Sequence, residues 1–278
     1  MFFFIVQFDL LRKCGLLAHT SAAFLKNCCT EKLSVACGSD FMTYFDFYFI
    51  LQKGGDCMSE KFEKLRFRVA KTGRAKYISH LDFVRCVQRA IRRSGLPVHY
   101  TNGFHPHMEA VFATALPLGM ESIGEVLEIR FAEPVEPEAA RTCLQAALPE
   151  GMELLQVYQP VHKMGELAYV RYRVTIPSEQ PEQLFEQWHA FLQQPEVLVE
   201  KKSKRGMRTV DLLPQIDCQA EQVIAGALVL EWMLSVGQPE SVNPNLIVTA
   251  FTSFAGVSAE QVQICRTQLC TAERTEFL

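Results

Sequence analysis

No Cys-x-x-Cys pair occurs in this chain, no apolar run approaches the roughly 18 residues of a membrane-spanning helix, and neither sign of charge dominates. The first absence excludes zinc ribbons and thioredoxin-type redox motifs, although ten cysteines are present. Five of them (Cys14, Cys28, Cys29, Cys37 and Cys57) fall in the first 57 residues, and the other five are scattered over the remaining 221. That distribution points to a reducing, cytoplasmic compartment rather than a disulfide framework. The second absence gives the chain no membrane partner. The third, a formal charge of −3 over 278 residues, leaves nucleic-acid binding to be judged from where the charges lie.

Residues 1–57 differ from the rest. They hold nine of the twenty phenylalanines but no sustained helical or alternating period. Nothing basic precedes Phe2-Phe3-Phe4-Ile5-Val6, and Gln7 and Asp9 interrupt the apolar run, so a signal peptide does not fit. Lys53-Gly54-Gly55 can be encoded as a bacterial ribosome-binding sequence, with about seven nucleotides before the Met58 codon. The expectation is that 1–57 is a mistranslated, disordered leader and that the natural protein begins at Met58.

From there alternation takes over. Leu65, Phe67 and Val69 alternate with Lys64, Arg66 and Arg68, predicting a half-buried strand with a basic outer face. Ser79 opens a helix to about Arg93 with Leu81, Val84, Val87 and Ile91 as its apolar stripe, and Gly95 ends it. Extended segments follow around Val98–Tyr100 and Met108–Ala115, then a strand around Leu127–Phe131, a helix from Pro137 and a strand from Met152 to Tyr158. The second half repeats the order. It has a strand at Val170–Ile176, a helix after Pro181, an extended Val197–Lys201, an alternating Leu228–Val236, a helix capped by Asn243-Pro244 and a last strand from Val262. Two β-α-β-β-α-β units predict an α+β fold of tandem ferredoxin-like units with antiparallel sheets, 58–162 and 166–278.

Site chemistry concentrates between Lys71 and Glu125. Eleven basic residues lie from Lys61 to Arg93 against Glu63 and Asp82, a local charge of +9. A second basic run, Lys201-Lys202-Ser203-Lys204-Arg205, marks a turn in the second half. Such asymmetry on a near-neutral protein points to a polyanion, and aromatics such as Phe67, Tyr77, Tyr100 and Phe104 could stack unpaired RNA bases. The bland alternative is a solvated amphipathic face with ion pairs. Ser79 and Asp82 are explained as a helix cap, which leaves His80 unexplained. His105-Pro106-His107 puts two imidazoles in a stiff turn after Asn102-Gly103. The two loops are expected to converge, with His80 and at least one of His105 and His107 in one polar pocket beside Arg74 or Lys76. The usual zinc spacings are missing, so neither a metal nor a cofactor is expected.

The motifs Thr72-Gly73-Arg74-Ala75-Lys76-Tyr77-Ile78-Ser79-His80-Leu81-Asp82, Arg89-Ala90 with Gly95-Leu96-Pro97, Asn102-Gly103-Phe104-His105-Pro106-His107, Leu116-Pro117-Leu118-Gly119, Gly124-Glu125 and Lys201 to Arg208 carry a resemblance. Over 58–278 the chain resembles the bacterial family of radical SAM-linked proteins of unknown function. The resemblance implies a partner of cobalamin-binding radical SAM enzymes. Lacking a Cys-x-x-x-Cys-x-x-Cys cluster motif, the chain resembles the stand-alone form. No catalytic residue carries over.

Three functional readings follow. The first is an accessory protein binding RNA through Lys71, Arg74, Lys76, His80, Arg85, Arg89, Asn102, Phe104, His105, His107, Lys201, Lys202, Lys204 and Arg205. The second is an RNA-processing or modifying enzyme using His80, His105 or His107 as acid/base groups or metal ligands. The third is a purely protein-binding subunit.

Overall fold

Alternating apolar residues build the frame. The computed structural model describes residues 63–203, 206–237 and 241–278, so the leader assigned to 1–57 and the basic residues Lys204 and Arg205 lie outside the described residues. Ten strands and four α-helices are formed among the described residues, giving an α+β fold with a mostly antiparallel sheet. The first half runs β1 (Lys64–Lys71), α1 (His80–Ser94), β2 (Ala110–Phe112), β3 (Glu121–Arg130), α2 (Pro137–Ala147) and β4 (Met152–Tyr158). The second runs β5 (Tyr169–Pro177), α3 (Pro181–Leu192), β6 (Leu198–Ser203), β7 (Gly206–Asp211), β8 (Asp217–Ile224), β9 (Ala227–Ser235), α4 (Pro244–Ala255) and β10 (Gln263–Cys270).

Eight strands make one sheet in the order β4-β1-β3-β10-β5-β9-β8, with short β2 also pairing with β3. Each half orders its strands alike, β4-β1-β3-β2 and β10-β5-β9-β8, and every pair within a half is antiparallel. The halves do not make separate sheets. They join where β10 runs parallel to the start of β3, with Cys265 opposite Glu121 and Arg266 opposite Ser122.

Apolar faces of the helices cover the inward residues. In the first half Leu65, Phe67, Val69, Leu127 and Ile129 pack with Phe83, Val87, Ala90 and Ile91 of α1 and with Ala140 and Leu144 of α2. The buried face of α1 is therefore rotated from the expected stripe: Leu81 is 67% exposed, and Phe83 takes the inward position against Phe112, ring centroids 4.7 Å apart. In the second half Trp188 stacks on Trp232 at 5.6 Å and meets Phe251 edge-on at 5.0 Å. Burial of several large aromatics and aliphatics, each worth about 1.5–3 kcal/mol, is what holds the helices to the sheet.

Helix ends follow the capping residues. The Ser79 hydroxyl accepts the Asp82 N–H at 3.2 Å and donates to the Asp82 carboxylate at 2.8 Å, and α1 stops at Gly95 in the left-handed region. Asn243 accepts the Asn245 N–H ahead of α4, with Pro244 in the first turn.

One strand assignment is corrected. The extended stretch beginning at Val197 does not enter the sheet: among the described residues Leu198–Ser203 pairs with Gly206–Asp211 alone, as a separate hairpin. The sheet position is taken by β8, whose polar, half-buried sequence suits an edge strand.

Candidate functional site

β1, β3 and β10 each break their alternation with one inward charge. Lys71 continues the inward parity of Leu65, Phe67 and Val69, Glu125 that of Leu127 and Ile129, and Arg266 follows Ile264. All three side chains are buried, between 0% and 2% exposed. Arg266 donates through Nη1 to both Glu125 oxygens, at 3.0 and 3.1 Å. Its Nη2 donates to the Ala115 carbonyl at 2.9 Å and to Tyr172 Oη at 3.2 Å. Lys71 Nζ donates to the Ile78 carbonyl at 2.9 Å and lies 5.3 Å from the centroid of the Phe83 ring. His80, the first residue of α1, completes the group. It is half-buried, its ring meets Phe112 edge-on at 6.1 Å, and its Nδ1 is buried without a hydrogen-bond partner among the described residues.

These groups feel one another. Burial lowers the His80 pKa below the ordinary histidine value; Glu125 pulls it back up, and Lys71 and Arg266 push it further down. Burial likewise lowers Lys71, with Glu125 opposing and Arg266 reinforcing. These effects favour the neutral form of the His80 imidazole, which stands beside Lys71, Arg266 and Glu125 at the seam where the two halves join.

Gly124 makes the seam geometrically feasible. A Cβ there would lie 2.6 Å from the Thr267 carbonyl oxygen, so only glycine lets β3 approach β10 this closely. Ser122 Oγ donates to the Arg266 carbonyl at 3.2 Å. Across the seam Arg68 donates to the Ile123 and Thr267 carbonyls at 2.9 and 3.0 Å and to Glu276 at 2.9 Å.

The structure divides the expected site residues among several places. Lys71 and His80 come together, but Lys71 is an interior group and not a surface cation. Arg74 and Lys76 lie on the short 3-10 helix Gly73–Tyr77: Arg74 is exposed, whereas Lys76 faces Glu121 at 3.6 Å. The Lys76 carbonyl accepts the Gly119 N–H at 3.0 Å, which brings the Leu116–Gly119 loop beside this helix. Arg85 and Arg89 are on the exposed face of α1, Arg85 paired with Asp82 at 3.1 Å. Asn102, Phe104, His105 and His107 are exposed on a turn closed by Thr101 and His107, whose Nδ1 and the Thr101 hydroxyl are 2.9 Å apart. The contacts of His107 and those of His80 share no residue. Lys201 donates to the Ser241 carbonyl, and Lys202 lies on β6.

The basic outer face of β1 is likewise committed inside the molecule. Lys64 and Arg66 both pair with Glu128, and Arg66 also donates to the His162 and Leu278 oxygens. Of the cations between Lys64 and Arg93, Arg74, Arg89, Arg92 and Arg93 are exposed and without an ion-pair partner among the described residues, although Arg93 donates to the Ala147 carbonyl at 2.7 Å.

Sequence reasoning did not single out Arg266 and Tyr172, and it met Glu125 only inside a motif. Charge at an inward strand position was the available signal. Among the described residues no three His, Cys, Asp or Glu side chains gather to hold a metal, and no helix is long and apolar enough to cross a membrane.

The family described as "Uncharacterized protein conserved in bacteria (DUF2344)" matches residues 64–244. The chain belongs to this family. The DUF2344 match takes in Lys71, His80 and Glu125 but stops before Arg266. Comparison with curated proteins gives no match. Among solved structures, a chain of the "Crystal Structure of a Cbf5-Nop10-Gar1 Complex" is similar at a TM-score of 0.38 and 11% identity over 74% of this chain, which spans about half (48%) of that chain's length.

Proposed function

We propose that this DUF2344 protein is a cytoplasmic accessory protein that binds RNA and works beside a cobalamin-binding radical SAM enzyme. One observation carries the RNA reading: Arg85, Arg89 and Arg92 lie at i, i+4 and i+7 on the exposed side of α1. Exposed Arg74 and Tyr77 sit just before that helix, with the Lys76 ammonium 5.4 Å from the Tyr77 ring centroid. A cationic stripe beside an exposed aromatic suits phosphates next to an unpaired base. The radical SAM reading rests on the sequence resemblance and on the lack of a cluster motif in this chain. We also read each half as a ferredoxin-like unit, with the boundary between 162 and 166; the shared strand order supports this.

Binding of single-stranded RNA to the full chain tests the RNA reading. Affinity should fall steeply with salt, and the variant with Arg85, Arg89 and Arg92 all changed to Ala should lose about 2 from the log–log salt slope, at roughly 0.7 per phosphate contact. Salt-independent binding, or an unchanged slope in the variant, would overturn it.

A second reading, an RNA-modifying enzyme with His80 as acid or base, is favoured by the unpartnered His80 Nδ1 beside Lys71 and Glu125. It expects His80→Ala to bind RNA normally and to lose turnover.

A further inference from the structure

Charge does not balance at the seam. Lys71 and Arg266 bring two buried cations and Glu125 one buried carboxylate, and burial disfavours the charged form of His80 beside them. Hydrogen-bonding capacity is also unfilled. Arg266 spends both Nη groups on Glu125, Ala115 and Tyr172, but its buried Nε has no partner among the described residues. His80 Nδ1 has none either, and Lys71 uses one ammonium hydrogen on Ile78. Buried donors of this kind are costly unless something accepts from them.

Of the four ionisable groups, only His80 reaches solvent. It stands in the first turn of α1 beside exposed Leu81 and Asp82.

We propose that the seam is a binding site for a singly charged oxyanion, the carboxylate or phosphodiester group of a ligand that enters past His80 and is held by Lys71 and Arg266. One negative charge cancels the excess positive charge, and oxygen lone pairs satisfy the open N–H groups of Arg266 Nε and Lys71, and that of His80 Nδ1 in the tautomer that carries its proton there. Glu125 orients Arg266 and keeps the site from accepting a second anion. This does not depend on the RNA reading, because it stands or fails on small anions alone.

The test is a titration of the full chain, labelled with nitrogen-15, with sodium acetate and separately with sodium dimethyl phosphate, using sodium chloride at equal ionic strength as the control. The His80 ring nitrogens and the Arg266 Nε–H are followed by NMR. Saturable shifts with acetate alone assign a carboxylate ligand, and with dimethyl phosphate alone a phosphodiester; shifts with both leave the site a general oxyanion acceptor. In each case Lys71→Met should weaken binding at least tenfold, and His80→Ala, which changes only the solvent-reaching member, should weaken it severalfold while preserving the melting temperature. Shifts no larger than those of chloride at concentrations on the order of 0.1 M, where screening is already strong, overturn the proposal. So does binding that survives both variants unchanged. If Lys71→Met fails to fold, the His80→Ala titration decides alone.

Discussion

Arg66, on the first strand of the sheet, donates through Nη1 to the main-chain oxygen of Leu278, 212 positions later, at 2.9 Å. The same guanidinium donates to the His162 carbonyl and to Glu128, and lies 4.6 Å from the centroid of the Phe277 ring. One buried cation thus ties together β1, the connection between the halves and the last residues of the chain. Its environment consists almost wholly of acceptors, so removing one of them leaves charge without compensation. Glu128→Gln should cost about 3 kcal/mol in urea unfolding, the scale for breaking a buried ion pair. Deleting residues 271–278 should also lower the melting temperature. A loss under about 1 kcal/mol for Glu128→Gln would mean that the backbone oxygens alone satisfy Arg66.

Gly124→Ala should cost about 2 kcal/mol, the scale of overpacking, because its Cβ would meet the Thr267 backbone and no flexible side chain could yield. Gly165, where an added Cβ meets nothing within 4 Å, serves as the control: Gly165→Ala should leave stability within about 0.5 kcal/mol. Equal melting temperatures for the two variants would show that the strands can separate freely at Gly124.

The Ser79 cap should be separable from any role of His80. Ser79→Ala removes the acceptor of the Asp82 N–H and should destabilise by about 1 kcal/mol, while small-anion and RNA binding are retained. Urea unfolding in parallel with binding assays checks this; loss of binding at unchanged stability would assign Ser79 to the site instead.

Acid should weaken the fold in two steps. His80 has its pKa lowered on folding, so the unfolded chain takes up its proton first. The penalty is absent above the ordinary histidine range and grows as pH falls through it toward the folded value. For Glu128, burial alone would raise the pKa, but hydrogen bonds and charges from Lys64 and Arg66 outweigh burial and hold it down. Its stabilisation is complete above the ordinary glutamate value and disappears only as pH falls through the depressed one. Melting curves should therefore show His80→Gln losing less stability than the parent protein between about pH 7 and 5. Identical slopes for the two would place His80 in an environment that does not distinguish its protonation states.

Much of this architecture was legible in local pattern. Period-two alternation marks β1, β3, β5 and β9, and capping residues mark α1 and α4. The sheet position filled by β8 was not legible, because Asp217–Ile224 is polar and half-buried, whereas Leu198 and Val199 present a stronger strand signal in the separate hairpin. At the site, Lys71 and His80 were visible in one motif. Their partnership with Arg266 depends on β3 meeting β10, a pairing between distant segments that neither periodicity nor turn residues encode. The +9 segment overstates the free surface charge for a related reason: composition counts charge but cannot tell that Glu128, Glu276 and main-chain oxygens consume part of it.

The parallel seam also sets the order in which the molecule can be finished on the ribosome. Once Arg130 has been synthesised, β1 can cover one edge of β3 and β2 the far end of the other. The stretch around Ser122 must wait for Arg266, 144 residues later, and until then Glu125 lacks its counter-ion. From Arg130 until Arg266 a nascent chain therefore carries an open strand edge and an unpaired carboxylate, the kind of half-made surface to which holding chaperones attach.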